Sequence, residues 1–133
     1  ATKEQYLEIA KQAKVKEYQL IDDFEKKQAF EIDKEWYHAL ALHTQVVIKK
    51  SEICYVHGRL LYASLSKHIK DNKLKNLNIV ETGTARGFSA LCMAKAMEDA
   101  NVEGKIITFD VLPHDTKMYW NSKQIQKLND FNR

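Results

Sequence analysis

The stretch from residue 79 to residue 90 carries residue types that can bind an anion. It reads IVETGTARGFSA, with two glycines, two threonines and a serine between an apolar run and a helix-like run. Gly83 lets the chain turn with positive φ, and Gly87 lets a helix begin close to the preceding strand. The first amides of such a helix lack helical partners and carry the positive end of its dipole, which favours a carboxylate or a phosphate. Ser89 adds a hydroxyl donor in the first turn.

The spacing of these residues distinguishes three kinds of nucleotide site. A Walker loop needs GxxxxGK, but here Gly83 and Gly87 are separated by three residues and Phe88 stands in place of the lysine. The dinucleotide fingerprint GxGxxG needs a middle glycine, and Ala85 at that position would crowd a pyrophosphate. A dinucleotide-binding oxidoreductase domain with an unusual loop stays an alternative. The remaining option is a nucleoside without a pyrophosphate, whose far end carries an amino acid.

The elements that must position this loop form an alternating unit. Residues 77 to 82 are mostly apolar and β-branched, residues 88 to 100 have a helical pattern, and residues 105 to 110 read as a second buried strand. Gly104 is predicted to end the helix. Two strands joined in this way are parallel with a right-handed crossover. Ligands bind outside the carboxyl ends of such strands, where residues 81 to 89 and Asp110 lie.

Helices are predicted before this unit. The first 70 residues contain one glycine and no proline, and their apolar residues recur at helical spacing. We expect an amphipathic helix broken before Ile32, a second one capped by Asp33, and a third that ends in the turn DNKLKN. The inward positions predicted for these three helices are Tyr6, Ile9, Ala10, Ala13, Tyr18, Ile21 and Phe24, then Trp36, Leu40, Val46 and Val47, then Leu60, Leu61, Leu65 and Ile69.

After Pro113, residues 118 to 131 are predicted to begin another helix. With no linker or low-complexity stretch, residues 1–133 are interpreted as a single domain. Residues 1–70 would form a helical cap or lid, and residues 71–133 the start of a ligand-binding core.

Composition excludes several function classes. The chain has 133 residues and a net charge of +3, and its basic and acidic residues are interleaved, so nucleic acid is not an expected partner. No apolar stretch approaches the roughly 20 residues that span a bilayer, and no secretory signal is evident, which predicts a cytoplasmic protein without a membrane partner. Cys54 and Cys92 lie in apolar helix-like runs and are expected to be inert buried thiols. The five histidines lack metal-ligand spacing, so no metal is expected.

The sequence IVETGTARGFSALCMAKAM, followed by GKIITFD, resembles motif I and the following acidic strand end of class I S-adenosylmethionine-dependent methyltransferases, in particular their small-molecule O-methyltransferase branch. That branch has an apolar strand followed by Glu, any residue, Gly, Thr, two residues, Gly, an aromatic and Ser. The segment HGRLLYASL is similar to the helix that precedes the first strand in those enzymes, so the resemblance covers about residues 55 to 115. The residues that match the motif are Glu81, Gly83, Thr84, Gly87, Phe88 and Ser89.

The resemblance implies a role for each of seven cofactor-binding residues, Glu81, Gly83, Thr84, Gly87, Ser89, Asp110 and Val111. The first would order the loop and face the methionine ammonium, while Gly83 and Thr84 would bring backbone against the methionine portion. Gly87 would start the helix close to the strand. Ser89 and the helix amides would take the methionine carboxylate. Asp110 would accept hydrogen bonds from the ribose hydroxyls, and Val111 would lie along the adenine.

The implied fold is α/β, with N-terminal helices followed by the first βαβ unit of a Rossmann-like methyltransferase sheet. The implied activity is methyl transfer from S-adenosylmethionine to an oxygen or nitrogen of a small molecule. Such a sheet normally has seven strands and this sequence predicts two, so we expect either a truncated form or a homo-oligomer that completes its sheet against another copy. The catalytic residues and the acceptor pocket are then expected outside this sequence. A non-catalytic fragment or helical interaction module is a further alternative.

Several other residues have both a functional and a structural interpretation. Arg86 could touch an acidic substrate but is expected to be solvated. His57 and Arg59 border the cofactor mouth in the resembled family and are interpreted as surface residues. His114 and Asp115 are assigned to a turn and helix cap. The aromatic residues that could line an acceptor pocket but are interpreted as core or interface are Trp36, Tyr37, Tyr119 and Trp120.

Overall fold

The computed structural model describes residues 2–111 and residue 115. Within these residues five helices accompany a two-stranded parallel sheet. The elements are α1 (Lys3–Val15), α2 (Gln19–Gln28), α3 (Lys34–Thr44), α4 (His57–Asp71), β1 (Asn76–Thr82), α5 (Phe88–Asp99) and β2 (Glu103–Phe109). The predicted helix over residues 118–131 and the predictions for His114, Tyr119 and Trp120 lie outside the described residues. None of the described helices combines the length and the apolar character needed to cross a bilayer.

Local capping explains where the first helices begin and end. Thr2 and Gln5 form a capping box at the start of α1. The side chain of Asp33 accepts a hydrogen bond from the Trp36 amide at 2.7 Å, which confirms the predicted cap of α3. Ala29 ends α2 in the left-handed conformation, so the predicted break before Ile32 is confirmed. Residues 16–18 form a second break, between α1 and α2, that the apolar spacing did not indicate.

The βαβ unit is confirmed, with one correction to its second strand. The strands run parallel in a continuous register from Asn76 opposite Glu103 to Thr82 opposite Phe109. Gly104, predicted to end the helix, lies inside β2 with φ +144°, and a Cβ there would lie 1.8 Å from the carbonyl oxygen of Leu77. Strand β2 therefore begins before the predicted residue 105, and glycine is required there by close strand pairing.

The sheet is covered on one face only, among the described residues. Side chains at alternate positions, including Leu77, Ile79 and Ile106, pack against a small core of Ile69, Met97 and Val102. The opposite face exposes Val80, Ile107 and Phe109, which are 67%, 47% and 58% exposed. The prediction that both strands are buried is therefore wrong for the described residues, because only one face of the sheet is covered. The apolar runs instead belong to strands that are half covered.

The larger core lies between the helices and the start of α5. Gly58 in α4 packs so closely on α5 that a Cβ there would lie 2.7 Å from the Phe88 ring and 2.8 Å from the Cys92 sulfur. Cys92 is fully buried, so its prediction as a core thiol is confirmed, and this burial raises the pKa of the thiol to about 12. Cys54 is exposed in the segment between α3 and α4, so the same prediction was wrong for it.

A buried charge cluster joins α2 to α4. Arg59 donates hydrogen bonds to Glu25 and Asp22, and Glu25 is only 3% exposed. These bonds hold the pKa of the Arg59 guanidinium above its usual value. Arg59 was interpreted as a surface residue, and the structure corrects this, because its side chain is only 11% exposed. The cluster fixes the N-terminal helices against the element that leads to the candidate site.

Candidate functional site

The candidate loop, residues 83–87, connects β1 to α5 and is fastened to the end of β2. The amides of Gly83 and Thr84 both donate to the carbonyl oxygen of Phe109, at 2.7 and 3.3 Å. The Gly87 amide donates to the Thr84 carbonyl at 2.7 Å and closes the turn. These bonds place the loop at the shared carboxyl edge of the two strands. The sequence predicted this location.

The two loop glycines serve a conformational need. Gly83 and Gly87 have φ of +85° and +75°, in the left-handed region that glycine adopts without strain. A Cβ built on either would have no described heavy atom within 4 Å, apart from its chain neighbours. Packing therefore does not require glycine at these positions. In the part of the chain that the structure describes, the space on the side-chain side of both glycines is unoccupied.

Glu81 lies on the helix-covered face of β1, because residues 77, 79 and 81 share the half-buried side of the strand. Its Oε1 accepts a hydrogen bond from the Ser89 hydroxyl. Its Oε2 is buried and has no hydrogen-bond partner among the described residues. A buried acceptor left without a donor costs about 1–3 kcal/mol. The oxygen has almost no accessible surface, so a ligand donor would reach it only after the Glu81 side chain turned.

The Ser89 contact changes the expected arrangement of donors. The resemblance implied that the Ser89 hydroxyl would bind a ligand carboxylate, but its single hydrogen is directed to Glu81. No side chain among the described residues caps α5, and its first helical bond runs from the Leu91 amide to the Gly87 carbonyl at 2.9 Å. The amides of residues 88–90 precede that bond. They remain the donors suited to a ligand carboxylate.

Asp110 follows β2 and faces the candidate loop. Its Oδ2 accepts a hydrogen bond from the Ala85 amide at 2.6 Å. The residue is exposed, as is Val111 beside it, which is 99% exposed. Glu81 and Asp110 thus approach the same short loop from the two strands. The structure brings all seven predicted residues to one edge of the sheet.

His57 lies at the margin of this site. It begins α4, and its ring meets the Phe88 ring edge-on with centroids 5.0 Å apart. Partial desolvation of the ring, in a residue that is exposed overall, lowers the pKa of His57 below its usual 6.5, and the negative charge of Glu81 opposes this shift. His57 is exposed, which confirms its interpretation as a surface residue. The sequence interpretation did not include the nearby carboxylate of Glu81. No local pattern could indicate it, because Glu81 is on another element.

Arg86 connects the candidate loop to the N-terminal helices. It is half-buried, and its Nη1 donates to the His43 carbonyl at the end of α3, at 3.3 Å. Burial lowers the pKa of Arg86, and the nearby Tyr6 in α1 opposes this shift. The prediction of a solvated arginine is therefore wrong. The residue gives the helical region a direct contact with the loop.

The other residues considered from the sequence belong to the framework. Tyr37 is buried, and its hydroxyl donates to the Tyr55 carbonyl at 2.6 Å, so its interpretation as core is confirmed. Among residues 2–111 and 115, no group of three or more His, Cys, Asp or Glu side chains is suited to a metal ion. A cavity of about 360 Å³ lies between the α1–α2 junction, α3 and residues 53–59, and none of the seven predicted residues lines it.

Comparisons of the chain with protein-family models, with curated proteins and with solved structures found no match. The chemistry of the candidate loop and the two strand ends is therefore the basis for a functional proposal. These elements combine an enclosed carboxylate oxygen, a helix N-terminus without a side-chain cap among the described residues, and an exposed carboxylate. A carboxylate can accept hydrogen bonds from an ammonium or a hydroxyl group, and a helix N-terminus can bind an anion.

Proposed function

We propose that the chain binds S-adenosylmethionine and functions as a methyltransferase that acts on an oxygen or nitrogen of a small molecule. The observation that carries this proposal is the buried Oε2 of Glu81, which has no donor among the described residues and lies beside a helix N-terminus. The amino-acid group of the ligand supplies an ammonium for Glu81 and a carboxylate for the helix N-terminus. Asp110 at the end of the neighbouring strand suits the ribose of the same ligand.

In this proposal each residue at the carboxyl edge of the sheet contacts one part of the ligand. Glu81 receives the ammonium, while the amides of residues 88–90 receive the carboxylate. Gly83 and Thr84 present backbone to the methionine portion. Asp110 accepts from the ribose hydroxyls beside its bond to the Ala85 amide, and exposed Val111 offers an apolar surface to the adenine.

S-adenosylmethionine, when bound, supplies an electrophilic methyl group on its sulfonium. The part of this chain in the transfer is to hold the sulfonium in line with the acceptor atom and to exclude water. Arg86 contacts the end of α3, so the N-terminal helices touch the candidate loop. Helices that act as a lid over the ligand would need such a contact. The proposed acceptor is a small molecule.

Two further parts of the proposal concern the state of the protein. A homo-oligomer would cover the apolar sheet face that bears Val80, Ile107 and Phe109. A cytoplasmic location suits Cys54, because an exposed free thiol persists in a reducing compartment.

Calorimetry with three ligands tests the proposed function. The full chain is titrated with S-adenosylmethionine, S-adenosylhomocysteine and NAD. We expect binding of the first two in preference to NAD, and loss of this binding in Asp110→Ala. Glu103→Ala is the matched control, because it removes an exposed carboxylate at the opposite end of the same strand.

The outcomes separate the competing functions. Tighter binding of NAD would favour the oxidoreductase alternative and reject the methyltransferase. Absence of binding by all three ligands would favour a non-catalytic module. Equal loss of affinity in Asp110→Ala and Glu103→Ala would reject the proposed location of the ribose.

A further inference from the structure

The cavity of about 360 Å³ at the α1–α2 junction has no role in the proposed function. Its volume lies within the range of pockets that bind small molecules. The buried residues that line it are aromatic or aliphatic, and the exposed ones are mostly charged. The lining residues on which a second site would depend are Tyr37, His38, Ile53, Tyr55, Lys14 and Lys16.

We propose that this cavity binds a small organic carboxylate that carries an aromatic ring. The His38 imidazole and the lysines that line the cavity receive the carboxylate, and the buried Tyr37 and Tyr55 contact the ring. The proposal concerns a second site and stands independently of the proposed function, because none of the seven predicted cofactor-binding residues lines this cavity.

The orientation of the His38 ring provides a hydrogen-bond donor. Nδ1 of His38 lies 2.9 Å from the Tyr55 hydroxyl. Tyr55 is 6% exposed, and its hydroxyl has no other hydrogen-bond partner among the described residues, so we assign its hydrogen to Nδ1. The proton of the neutral ring then lies on Nε2, which makes no hydrogen bond in the described part of the chain and is not fully enclosed. This N–H is the donor for the ligand carboxylate.

The charges around His38 favour an anionic ligand over a cationic one. Burial lowers the pKa of His38 below its usual 6.5, so the ring is neutral at pH 7.5. Three cations lower this pKa further, namely Lys14 of α1, Lys34 of α3 and Arg59 of α4. One carboxylate, that of Glu35, opposes them. Surroundings that disfavour a positive charge on the imidazole favour a carboxylate beside it.

The lysines that line the cavity can exchange their present partners for a ligand. Lys14 pairs with Glu35 and Lys16 pairs with Glu52, whose side chains are 85% and 81% exposed. Neither glutamate lines the cavity. Exposed ion pairs of this kind contribute little to stability, so replacing one carboxylate by another costs little. A carboxylate between a lysine ammonium and the His38 N–H gains charge-assisted hydrogen bonds to both.

The buried part of the cavity suits an aromatic ring. The rings of Tyr37 and Tyr55 are tilted against each other with centroids 5.3 Å apart. The Tyr37 hydroxyl donates to the Tyr55 carbonyl at 2.6 Å, so the polar end of this buried residue is already satisfied. Buried Ile53 adds an apolar side chain to the lining. A ligand ring would extend this cluster through the tilted or edge-on contacts that aromatic pairs prefer.

NMR titration of the ¹⁵N-labelled full chain at pH 7.5 tests the proposed site. The probes are phenylacetate, its neutral analogue phenylacetamide, acetate, which lacks the ring, and phenethylamine, which is a cation at this pH. We expect phenylacetate to give saturable amide shifts at residues 13–19, 37–38 and 53–56. Its Kd should be about tenfold lower than that of phenylacetamide, because hydrogen bonds to a charged group are stronger. Acetate and phenethylamine should not saturate the site.

Replacement of His38 tests the proposed donor. His38→Phe keeps an aromatic ring in the cavity lining and removes the N–H, so the Kd for phenylacetate should rise about tenfold. His43→Phe changes an exposed histidine near the end of the same helix and should leave the Kd unchanged. In the wild-type protein, the ¹⁵N shifts of the His38 ring should show its proton on Nε2. That measurement does not depend on the folding of any substituted chain.

Several results would overturn the inference. Equal Kd values for phenylacetate and phenylacetamide, or tighter binding of phenethylamine, would reject an anion site. An equal effect of His38→Phe and His43→Phe, or a ring proton on Nδ1, would reject the assigned donor. Phenylacetate shifts confined to residues 81–90, or no saturable shift at all, would reject binding in this cavity. The proposed function is tested by other ligands at other residues, so its success or failure is read separately.

Discussion

Gly58 shows how one residue sets the distance between two helices that support the site. The absence of a side chain lets α4 approach the Phe88 ring and the Cys92 sulfur of α5. Both neighbours are buried in the main core, so they have little room to move. Because Phe88 begins the helix that follows the candidate loop, this contact also positions the amides proposed to bind a carboxylate.

Substitution of Gly58 should therefore destabilise the protein. An alanine gains up to about 1 kcal/mol in helix propensity, but overpacking of a buried contact costs about 1–3 kcal/mol. We expect Gly58→Ala to lower the free energy of unfolding in a urea titration by about 1 kcal/mol. Ser64→Ala, on the exposed face of α4, is the control and should change it little. An unchanged or raised stability in Gly58→Ala would contradict the close contact.

Glu81 bonds to Ser89 through Oε1, and its buried Oε2 has no donor among the described residues. Its charge can be tested separately from its shape. Glu81→Gln keeps the size of the side chain and removes the negative charge. We expect the Kd for S-adenosylhomocysteine to rise about tenfold or more, because a charge-assisted hydrogen bond to the ammonium is lost. The Kd for 5′-methylthioadenosine should stay nearly constant. Glu98→Gln, at an exposed position of α5, is the control, and an equal effect on both ligands would reject the ammonium site.

The sequence predicted the residues of the candidate loop better than their partners. Positive φ at Gly83 and Gly87 follows from local residue type and is confirmed. The bond from Ser89 to Glu81 and the contact of Arg86 with His43 join residues on different elements. Local spacing gives no information on such contacts, since they depend on how the elements pack.

At the scale of elements, α2 and α4 lie against each other and are joined by ion pairs. Arg59 is shared between Asp22 and Glu25, and it is largely enclosed. The hydrogen bond from Arg59 lowers the pKa of Asp22 below its usual 3.8. A carboxylate with a lowered pKa stabilises the folded state above the pKa of the unfolded chain, and this stabilisation is lost as the pH falls through the folded value.

Acid should therefore weaken the α2–α4 contact through Asp22. Between pH 5 and pH 3, the free energy of unfolding of wild type should fall more steeply than that of Asp22→Asn, as measured by guanidinium titration at several pH values. Asp23→Asn changes the net charge equally on the same helix and serves as the control. Parallel pH profiles for wild type and Asp22→Asn would show that the Arg59 bond does not contribute in this way.

Element types were easier to predict than element boundaries and burial. The change from helical spacing to β-branched runs correctly placed β1, α5 and β2. The helix stop was assigned to Gly104, but Asn101 takes the left-handed conformation there with φ +52°. The apolar strands indicated burial on both sides, whereas the described chain covers one face. Hydrophobicity reports what a strand can bury but does not identify the partner that covers it.

At the scale of the whole molecule, one face of the sheet, which bears Val80, Ile107 and Phe109, is left uncovered by the described residues. Val80 and Phe109 are more than half exposed on it, and neighbouring exposed apolar residues often mark an interaction surface. The proposed homo-oligomer would bury this face against another copy. Helices α4 and α5 would then remain on the covered side with the candidate site.

Self-association should depend on this face. Sedimentation velocity of wild type should show a mass that rises with protein concentration, and Val80→Lys should reduce that rise, because a charge is costly to bury in an apolar contact. Leu20→Lys places the same charge on an exposed apolar residue of α2 and should leave the association unchanged. A monomer mass at every concentration would reject the oligomer, and an equal effect of both variants would reject this face.

The most direct test of the central claim is an NMR titration of the ¹⁵N-labelled full chain with S-adenosylhomocysteine. Ligand binding at the carboxyl edge of β1 and β2 should give saturable amide shifts concentrated at residues 81–90 and at Asp110 and Val111. None of these residues lines the cavity near the α1–α2 junction, so the residues around that cavity should show little change. Saturable shifts confined to that cavity, or the absence of any saturable shift, would contradict the account.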